Sequence, residues 1–136
     1  MPKIPSETTI LVVDDSKVIS QTAELFLKPT GYKVVTCSNG FDALSVIMDV
    51  KPDLLILDVM MPRLDGYNAC LLIRNNHDFE KLPIVMLTSK DGSIDRAKGL
   101  MVGCSDYLTK PFSKDSLLEC VRKNLELDEE RVGDRF

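Results

Sequence analysis

The chain has 136 residues, 44% of them hydrophobic, which is the size and composition of one globular domain. Its formal net charge is −4 and its sequence pI is about 5.0, so it lacks the basic surface that direct binding to nucleic acid requires. No segment approaches the ~20 apolar residues of a membrane span, and residues 1–5 lack the apolar core of a signal peptide, so we expect a cytoplasmic protein without membrane insertion.

The two ends of the chain differ in composition from its middle. Residues 1–7 contain two prolines, and residues 128–136 are mostly charged. We expect both segments to be flexible ends around one domain that extends from residue 8 to residue 127.

Short apolar runs alternate along the chain with longer segments whose apolar residues recur at helical spacing. The predicted strands are residues 10–13, 33–36, 54–57, 84–87 and a shorter 107–108. The helices between them are marked by Ile19, Ala23 and Phe26, by Leu44, Ile47 and Met48, by Ala69, Cys70 and Ile73, and by Ile94, Ala97 and Met101. A last helix is predicted over residues 114–126, with Ser113 as its N-cap.

This alternation predicts an α/β fold, a doubly wound parallel sheet of five strands with helices on both faces. Periodicity alone does not fix the order of the strands. The four cysteines, Cys37, Cys70, Cys104 and Cys120, are widely spaced in apolar surroundings, so we interpret them as small core residues.

Polar residues follow the carboxyl ends of four predicted strands. Asp14 and Asp15 follow the first strand, Asp58 the third, Thr88 the fourth and Lys110 the fifth. Because functional groups of such sheets gather beyond the carboxyl ends of the strands, we expect these side chains to lie together.

Three carboxylates in one place repel each other by roughly 4 kcal/mol per close pair at an effective dielectric constant near 20. A hard cation with oxygen ligands removes this repulsion, and Mg²⁺ suits a few carboxylates combined with water and phosphate oxygens. Asp58 stands alone after the central apolar strand and is the best candidate for a nucleophile, whereas Asp14 and Asp15 are adjacent and suited to sharing a metal ion. Lys110 suits a phosphoryl oxygen, and no additional base is needed.

Each residue also has an ordinary interpretation. Asp15 could cap the first helix, Asp58 could belong to a turn, and Lys110 could be a solvated loop lysine. Taken singly these are the better interpretations, but none of them explains why polar residues follow four of the strands.

Four segments of the chain resemble response-regulator receiver domains. They are ILVVDDS (10–16), DLLILDVMMPRLDG (53–66), PIVMLTS (83–89) and DYLTKPF (106–112), and together they span nearly the whole domain. The resemblance implies a flavodoxin-like strand order, 2-1-3-4-5.

The resemblance also implies roles for individual residues. Asp58 would be the phosphoacceptor, Asp15 a direct Mg²⁺ ligand, Asp14 a ligand largely through water, and the backbone carbonyl of Met60 a further ligand beside Asp58. Lys110 would contact the phosphoryl group. The peptide bond between Lys110 and Pro111 would be cis.

Receivers signal through a switch, and the matching residues here are Thr88 and Tyr107. Thr88 would move to the phosphoryl group while Tyr107 turns inward, which would repack the face made by the fourth helix, the fifth strand and the last helix. We expect Ile94, Lys98, Met101 and Tyr107 on this face. Met60 and Lys90 occupy the positions that tune phosphoryl lifetime, and an apolar Met60 predicts no unusually fast self-dephosphorylation.

The implied partners are a histidine kinase or phosphotransfer domain as donor and a separate effector protein as output. The segments around residues 61–76 and 89–99 resemble the receivers of type IV pilus chemosensory systems, so twitching motility or chemotaxis is the expected setting. We expect a monomer or a phosphorylation-dependent dimer. We do not expect an enzyme, beyond self-phosphorylation from small donors and self-dephosphorylation.

Three other interpretations compete with a receiver domain. An aspartyl-nucleophile phosphohydrolase needs an Asp-x-Asp pair after the first strand, whereas this pair is adjacent. A nucleotide or flavin binder needs a glycine-rich loop where this chain has Asp14-Asp15-Ser16-Lys17. A receiver-like scaffold that acts independently of phosphate remains open.

Overall fold

The structure, a computed structural model, describes residues 4–89, 98 and 102–133, and of residues 127–133 it describes the backbone only. The fourth predicted helix, with Ile94, Ala97 and Met101, lies outside these residues apart from its neighbour Lys98. Lys90 also lies outside them.

Five parallel strands form one sheet: β1 (Thr9–Val13), β2 (Lys33–Cys37), β3 (Leu54–Asp58), β4 (Ile84–Thr88) and β5 (Asp106–Thr109). Their order is β2-β1-β3-β4-β5, which confirms the predicted fold class and the strand order that the resemblance implied. β3 lies in the middle of the sheet, and its last residue, Asp58, is paired with Leu87 of β4. The carboxyl end of β3 therefore lies between those of β1 and β4.

The helices are α1 (Lys17–Leu27), α2 (Gly40–Val50), α3 (Gly66–Asn75) and a C-terminal helix (Lys114–Gly133). The first three begin at side-chain caps, because Ser16, Asn39 and Asp65 each accept a hydrogen bond from a backbone N–H three residues ahead. These caps fix the helix N-termini at the same edge of the sheet as the strand ends.

The C-terminal helix reaches Gly133, so the predicted end at residue 126 is wrong. Residues 127–131 are leucine, glutamate, aspartate and arginine, which include good helix formers, and the first helix-breaking residue is Gly133 itself. The charged residues that follow Leu127 therefore do not mark the end of the helix.

Apolar residues on both faces of the strands build two cores. One core contains Leu11, Leu55 and Met86 and packs against α2 and α3, and the other contains Val12, Ile56 and Leu117 and packs against α1 and the C-terminal helix. Among the described helices, none combines the length and the apolar character needed to cross a bilayer.

The cysteines pack into these cores as free thiols, as predicted. Cys70 and Cys120 are buried, and Cys37 and Cys104 are half-buried. Burial raises the pKa of Cys70 to about 11 and that of Cys120 to about 12, so both thiols stay protonated at neutral pH.

Candidate functional site

Three carboxylates converge at the carboxyl edge of the sheet. Asp14 and Asp15 follow β1, and Asp58 ends the neighbouring strand β3. Oxygen atoms of the three side chains lie within 4.8 Å of one another. Asp15 is exposed, whereas Asp14 and Asp58 retain only 2% and 1% of their accessible surface. The structure thus brings together the three carboxylates that the sequence predicted as neighbours.

Lys110 supplies the positive charge of this cluster. Its Nζ donates to Asp58 Oδ1 at 3.1 Å and to Asp14 Oδ2 at 3.2 Å. The backbone N–H of Lys110 donates to the carbonyl of Thr88 at 2.7 Å, which holds the residue after β5 against the end of β4. From this position the side chain spans the end of β4 to reach β3. The Lys110–Pro111 peptide bond is cis.

The two oxygen atoms of Asp58 have different surroundings. Oδ1 accepts hydrogen bonds from Lys110 Nζ and, at 3.2 Å, from the backbone N–H of Met60. Oδ2 is buried and has no hydrogen-bond partner within the described part of the chain. Buried carboxylate oxygens are nearly always hydrogen-bonded, so this oxygen is available to a metal ion, a water molecule or a reactant.

Electrostatics in the cluster favour the capture of further positive charge. Burial, and then the nearby charge of Asp14, raise the pKa of Asp58 from 3.8 to about 6, although the hydrogen bond from Lys110 lowers it. Burial lowers the pKa of Lys110, but its hydrogen bond and charge interaction with Asp58 outweigh this effect and raise the pKa above its ordinary value. Lys110 is therefore a cation at neutral pH, and one cation does not fully neutralise two buried carboxylates.

The loop after Asp58 is shaped by Gly66, the first residue of α3. Its N–H donates to the carbonyl of Val59 at 3.1 Å. A Cβ at Gly66 would overlap the carbonyl oxygen of Asp58 and lie 2.8 Å from the Cα of Val59. Only glycine permits this close approach. Through it the chain turns back from the exposed Met60 to the end of β3. This role of Gly66 was not predicted from the sequence.

Thr88 lies on β4, the strand beside β3, and Tyr107 lies on β5, the next strand of the sheet. Thr88 is the buried last residue of β4, next to the strand that carries Asp58. Tyr107 is half-buried and packs against the core on the α2 and α3 side. Of the other residues expected on the output face, Lys98 is exposed with its Nζ 5.7 Å from the centroid of the Tyr67 ring, and Ile94 and Met101 lie outside the described residues.

Arg74 is a residue that the sequence analysis missed. Its Nε donates to the carbonyl of Gly103 and its Nη1 to that of Phe79, both at 2.8 Å, which ties α3 to the segments before β5 and β4. Since Gly103 is 29 positions away in the sequence, no local pattern signals this contact.

A divalent cation fits the donor set of the cluster. Asp14, Asp15 and Asp58 offer hard oxygen ligands close together, and one buried oxygen of Asp58 lacks a partner. Mg²⁺ prefers a few carboxylates, with water and phosphate oxygens completing its shell, and the exposure of Asp15 leaves the cluster open to them.

Comparisons with known proteins agree with this geometry. A family model described as "Response regulator receiver domain" matches residues 10–122. Protein PilG of Pseudomonas aeruginosa is 52% identical over 116 residues, which are 85% of this chain and 86% of that protein.

Solved structures show the same relationship. The chemotaxis protein CheY4 of Vibrio cholerae superimposes with a TM-score of 0.83 at 32% identity, over 85% of this chain and 97% of that one. A putative response regulator from Chloroflexus aurantiacus superimposes with a TM-score of 0.84 at 37% identity, over 88% of this chain and 98% of that one.

The matched region contains the whole sheet from Ile10 onward, the three carboxylates and Lys110. Receiver domains act between a histidine kinase and a downstream effector. Fold, acidic cluster and sequence matches therefore lead to one conclusion: the chain belongs to the response regulator receiver domain family and has a phosphoacceptor role in signalling.

Proposed function

We propose that this protein is a phosphorylation-controlled switch and that Asp58 is the residue that accepts the phosphoryl group. The observation that carries this proposal is the environment of Asp58 Oδ2, a buried carboxylate oxygen without a partner in the described chain. Lys110 lies against the other oxygen, so a negatively charged reactant would meet a cation beside the nucleophile.

The reaction needs little covalent chemistry from the protein. An oxygen of Asp58 attacks the phosphorus of a phosphohistidine, so that an O–P bond forms as the P–N bond breaks. The imidazole leaves with the bonding electron pair and takes up a proton from solvent. In the product Lys110 keeps its contact with Asp14 and donates to a phosphoryl oxygen, which compensates the added negative charge.

Mg²⁺ would be held by Asp14, Asp15, Asp58 and the backbone carbonyl of Met60, with Asp14 acting largely through water. When bound, the ion would supply neutralisation of the phosphoryl charge. The cluster of three carboxylate oxygens within 4.8 Å supports this ligand set.

The signal would pass through Thr88 and Tyr107. A phosphoryl group on Asp58 brings strong acceptor oxygens beside β4, and the hydroxyl of Thr88 at the end of that strand is the donor we expect to follow them. Tyr107 would then turn further inward and change the face that an effector contacts. Met60 and Lys90 would tune the lifetime of the phosphoryl group.

The donor would be a histidine kinase or a phosphotransfer domain, and the output a separate effector that reads the face around β5 and the C-terminal helix. The 52% identity to PilG and the likeness to a chemotaxis protein support a setting in pilus-based motility or chemotaxis. No turnover of an external substrate is proposed beyond self-phosphorylation from small donors and self-dephosphorylation.

Intact-mass analysis after incubation with acetyl phosphate, with and without Mg²⁺, tests this proposal. We expect the wild type to gain one alkali-labile phosphoryl group only when Mg²⁺ is present, and Asp58→Asn to gain none. Asp49→Asn is the matched control, because it removes an exposed carboxylate of α2 and should leave the gain unchanged.

Two results would contradict the proposal. A phosphoryl gain that persists in Asp58→Asn would move the acceptor to another residue. No adduct in the wild type, together with no response to a beryllofluoride mimic, would favour the phosphate-independent scaffold.

A further inference from the structure

The neighbouring helices α2 and α3 present apolar side chains to solvent at the groove between them. Phe41, Leu44 and Met48 lie at helical spacing along α2. Asn76, the C-cap of α3, donates through Nδ2 to the sulfur of Met48 at 3.3 Å. Leu72 lies one turn before Asn76 on the same side of α3 and therefore faces α2. We call Phe41, Leu44, Met48 and Leu72 the α2–α3 surface.

This surface is apolar and open. Phe41 is 54% exposed, Met48 46% and Leu72 48%, while Leu44 is half-buried against the core beneath them. Single exposed apolar residues are common and need no explanation. Three large ones along one groove are less common, and clusters of exposed apolar residues mark surfaces that another molecule covers.

The charges beside the strip are acidic. α2 carries two exposed aspartates, Asp42 and Asp49, and contains no basic residue. The basic residue of α3, Arg74, has its guanidinium hydrogen-bonded to two backbone carbonyls on the side away from α2. Lys51, the C-cap of α2, and Arg63, just before α3, are exposed cations at the ends of the two helices. Between these ends, the border of the groove along α2 is acidic because of Asp42 and Asp49.

We infer that the α2–α3 surface docks a basic amphipathic helix of a partner protein. A helix with apolar residues three, four and seven positions apart can place them along the groove, as in other helix-in-groove complexes. Lysine or arginine residues beside that apolar stripe would face Asp42 and Asp49.

Two other occupants fit the charges less well. A second copy of this chain would bring an identical acidic border against Asp42 and Asp49, and the like charges would repel. The surface of an anionic membrane attracts basic segments and would repel this one. The surface also lies apart from the face around β5 that we propose for the phosphorylation-dependent output.

The test uses a fluorescein-labelled, 14-residue amphipathic helix of leucine and lysine as the probe, and the full chain without Mg²⁺ or phosphoryl donor. Fluorescence anisotropy near physiological salt should show saturable binding, with much weaker binding of a leucine and glutamate peptide of equal length. In the double variant Met48→Gln/Leu72→Gln we expect the dissociation constant to rise about tenfold or more. Asp49→Lys should weaken binding as well.

The matched control is Val18→Gln/Leu25→Gln, which removes two exposed apolar side chains of α1 on the opposite face of the sheet. It should bind the probe as the wild type does. Absence of saturable binding to the wild type would overturn the inference, and so would an equal loss in the two double variants. Thermal melts of all variants establish that each is folded. Because no phosphoryl group is involved, this result is independent of whether Asp58 is the phosphoacceptor.

Discussion

Two aspartates flank the same central strand, and their surroundings are opposite. Asp53 precedes β3, where its Oδ2 accepts a hydrogen bond from the backbone N–H of Thr9 and its own N–H donates to the carbonyl of Thr9, both at 2.8 Å. Asp58 ends β3, where one of its oxygens has no partner in the described chain. One carboxylate thus joins two strands, while the other is left poorly neutralised inside the protein.

The difference shows what distinguishes a structural carboxylate from a reactive one. Asp53 stabilises the start of the sheet because its charge is hydrogen-bonded to backbone and still partly exposed. Asp58 has lost solvent, lies beside Asp14 and has a pKa raised to about 6, so its ionised form costs folding free energy at neutral pH. We interpret that cost as the result of keeping an oxygen available for a metal ion and a phosphoryl group.

The largest change in stability is expected when Asp58 is replaced. Without Mg²⁺ at pH 7.5, Asp58→Asn should increase the free energy of unfolding by about 3 kcal/mol, since a pKa shift of roughly two units corresponds to that value. The gain should shrink toward zero near pH 4. The raised pKa means that the unfolded chain loses this proton first as pH rises from 3.8 to about 6, so the wild type loses stability across that window.

Urea unfolding of both proteins in EDTA at several pH values measures this effect. A lower stability of Asp58→Asn at pH 7.5 would contradict our interpretation of Asp58, as would a stability difference that does not vary with pH. Asp49→Asn, which changes an exposed carboxylate of α2, is the control for the substitution itself.

At the other end of β3, replacing Asp53 should decrease the free energy of unfolding. Asp53→Ala leaves the N–H of Thr9 without its side-chain acceptor and should decrease the free energy of unfolding by about 2 kcal/mol. Phosphorylation by acetyl phosphate should be retained, since Asp53 lies at the amino end of β3. Urea unfolding at pH 7.5 measures the loss, and Asp49→Ala should remain within about 0.5 kcal/mol of the wild type. Equal stability of Asp53→Ala and Asp49→Ala would contradict the structural role that we assign to Asp53.

Much of the fold was predictable because its signals are local. The apolar runs predicted all five strands to within one residue at each end, and helical spacing located α1, α2 and α3. The end of the last helix was missed, since residues 127–132 lack a breaking residue. Strand order came from the resemblance, because periodicity carries no information about which strands pair.

The carboxylate cluster was predictable for a topological reason: parallel strands carry their terminal residues to one edge. What the sequence could not indicate were contacts between distant segments. Asp53 looked like any residue before a strand, although it bonds Thr9, 44 positions away. The unpartnered oxygen of Asp58 likewise depends on where Lys110 and Met60 place their donors, which only the folded chain defines.

The smallest effect concerns the metal ion. At a Mg²⁺ concentration ten times its dissociation constant, the free energy of unfolding of the wild type should rise by about 1.4 kcal/mol, because an ion that binds only the folded state shifts the equilibrium by mass action. Asp53→Ala should show the same rise, whereas Asp58→Asn and Asp15→Asn should lose most of it. Urea unfolding at constant ionic strength, with Na⁺ replacing Mg²⁺ in the control, separates binding from screening. If Asp58→Asn gained as much stability as the wild type, the ion would bind away from the cluster, and the cost of burying Asp58 would need another explanation.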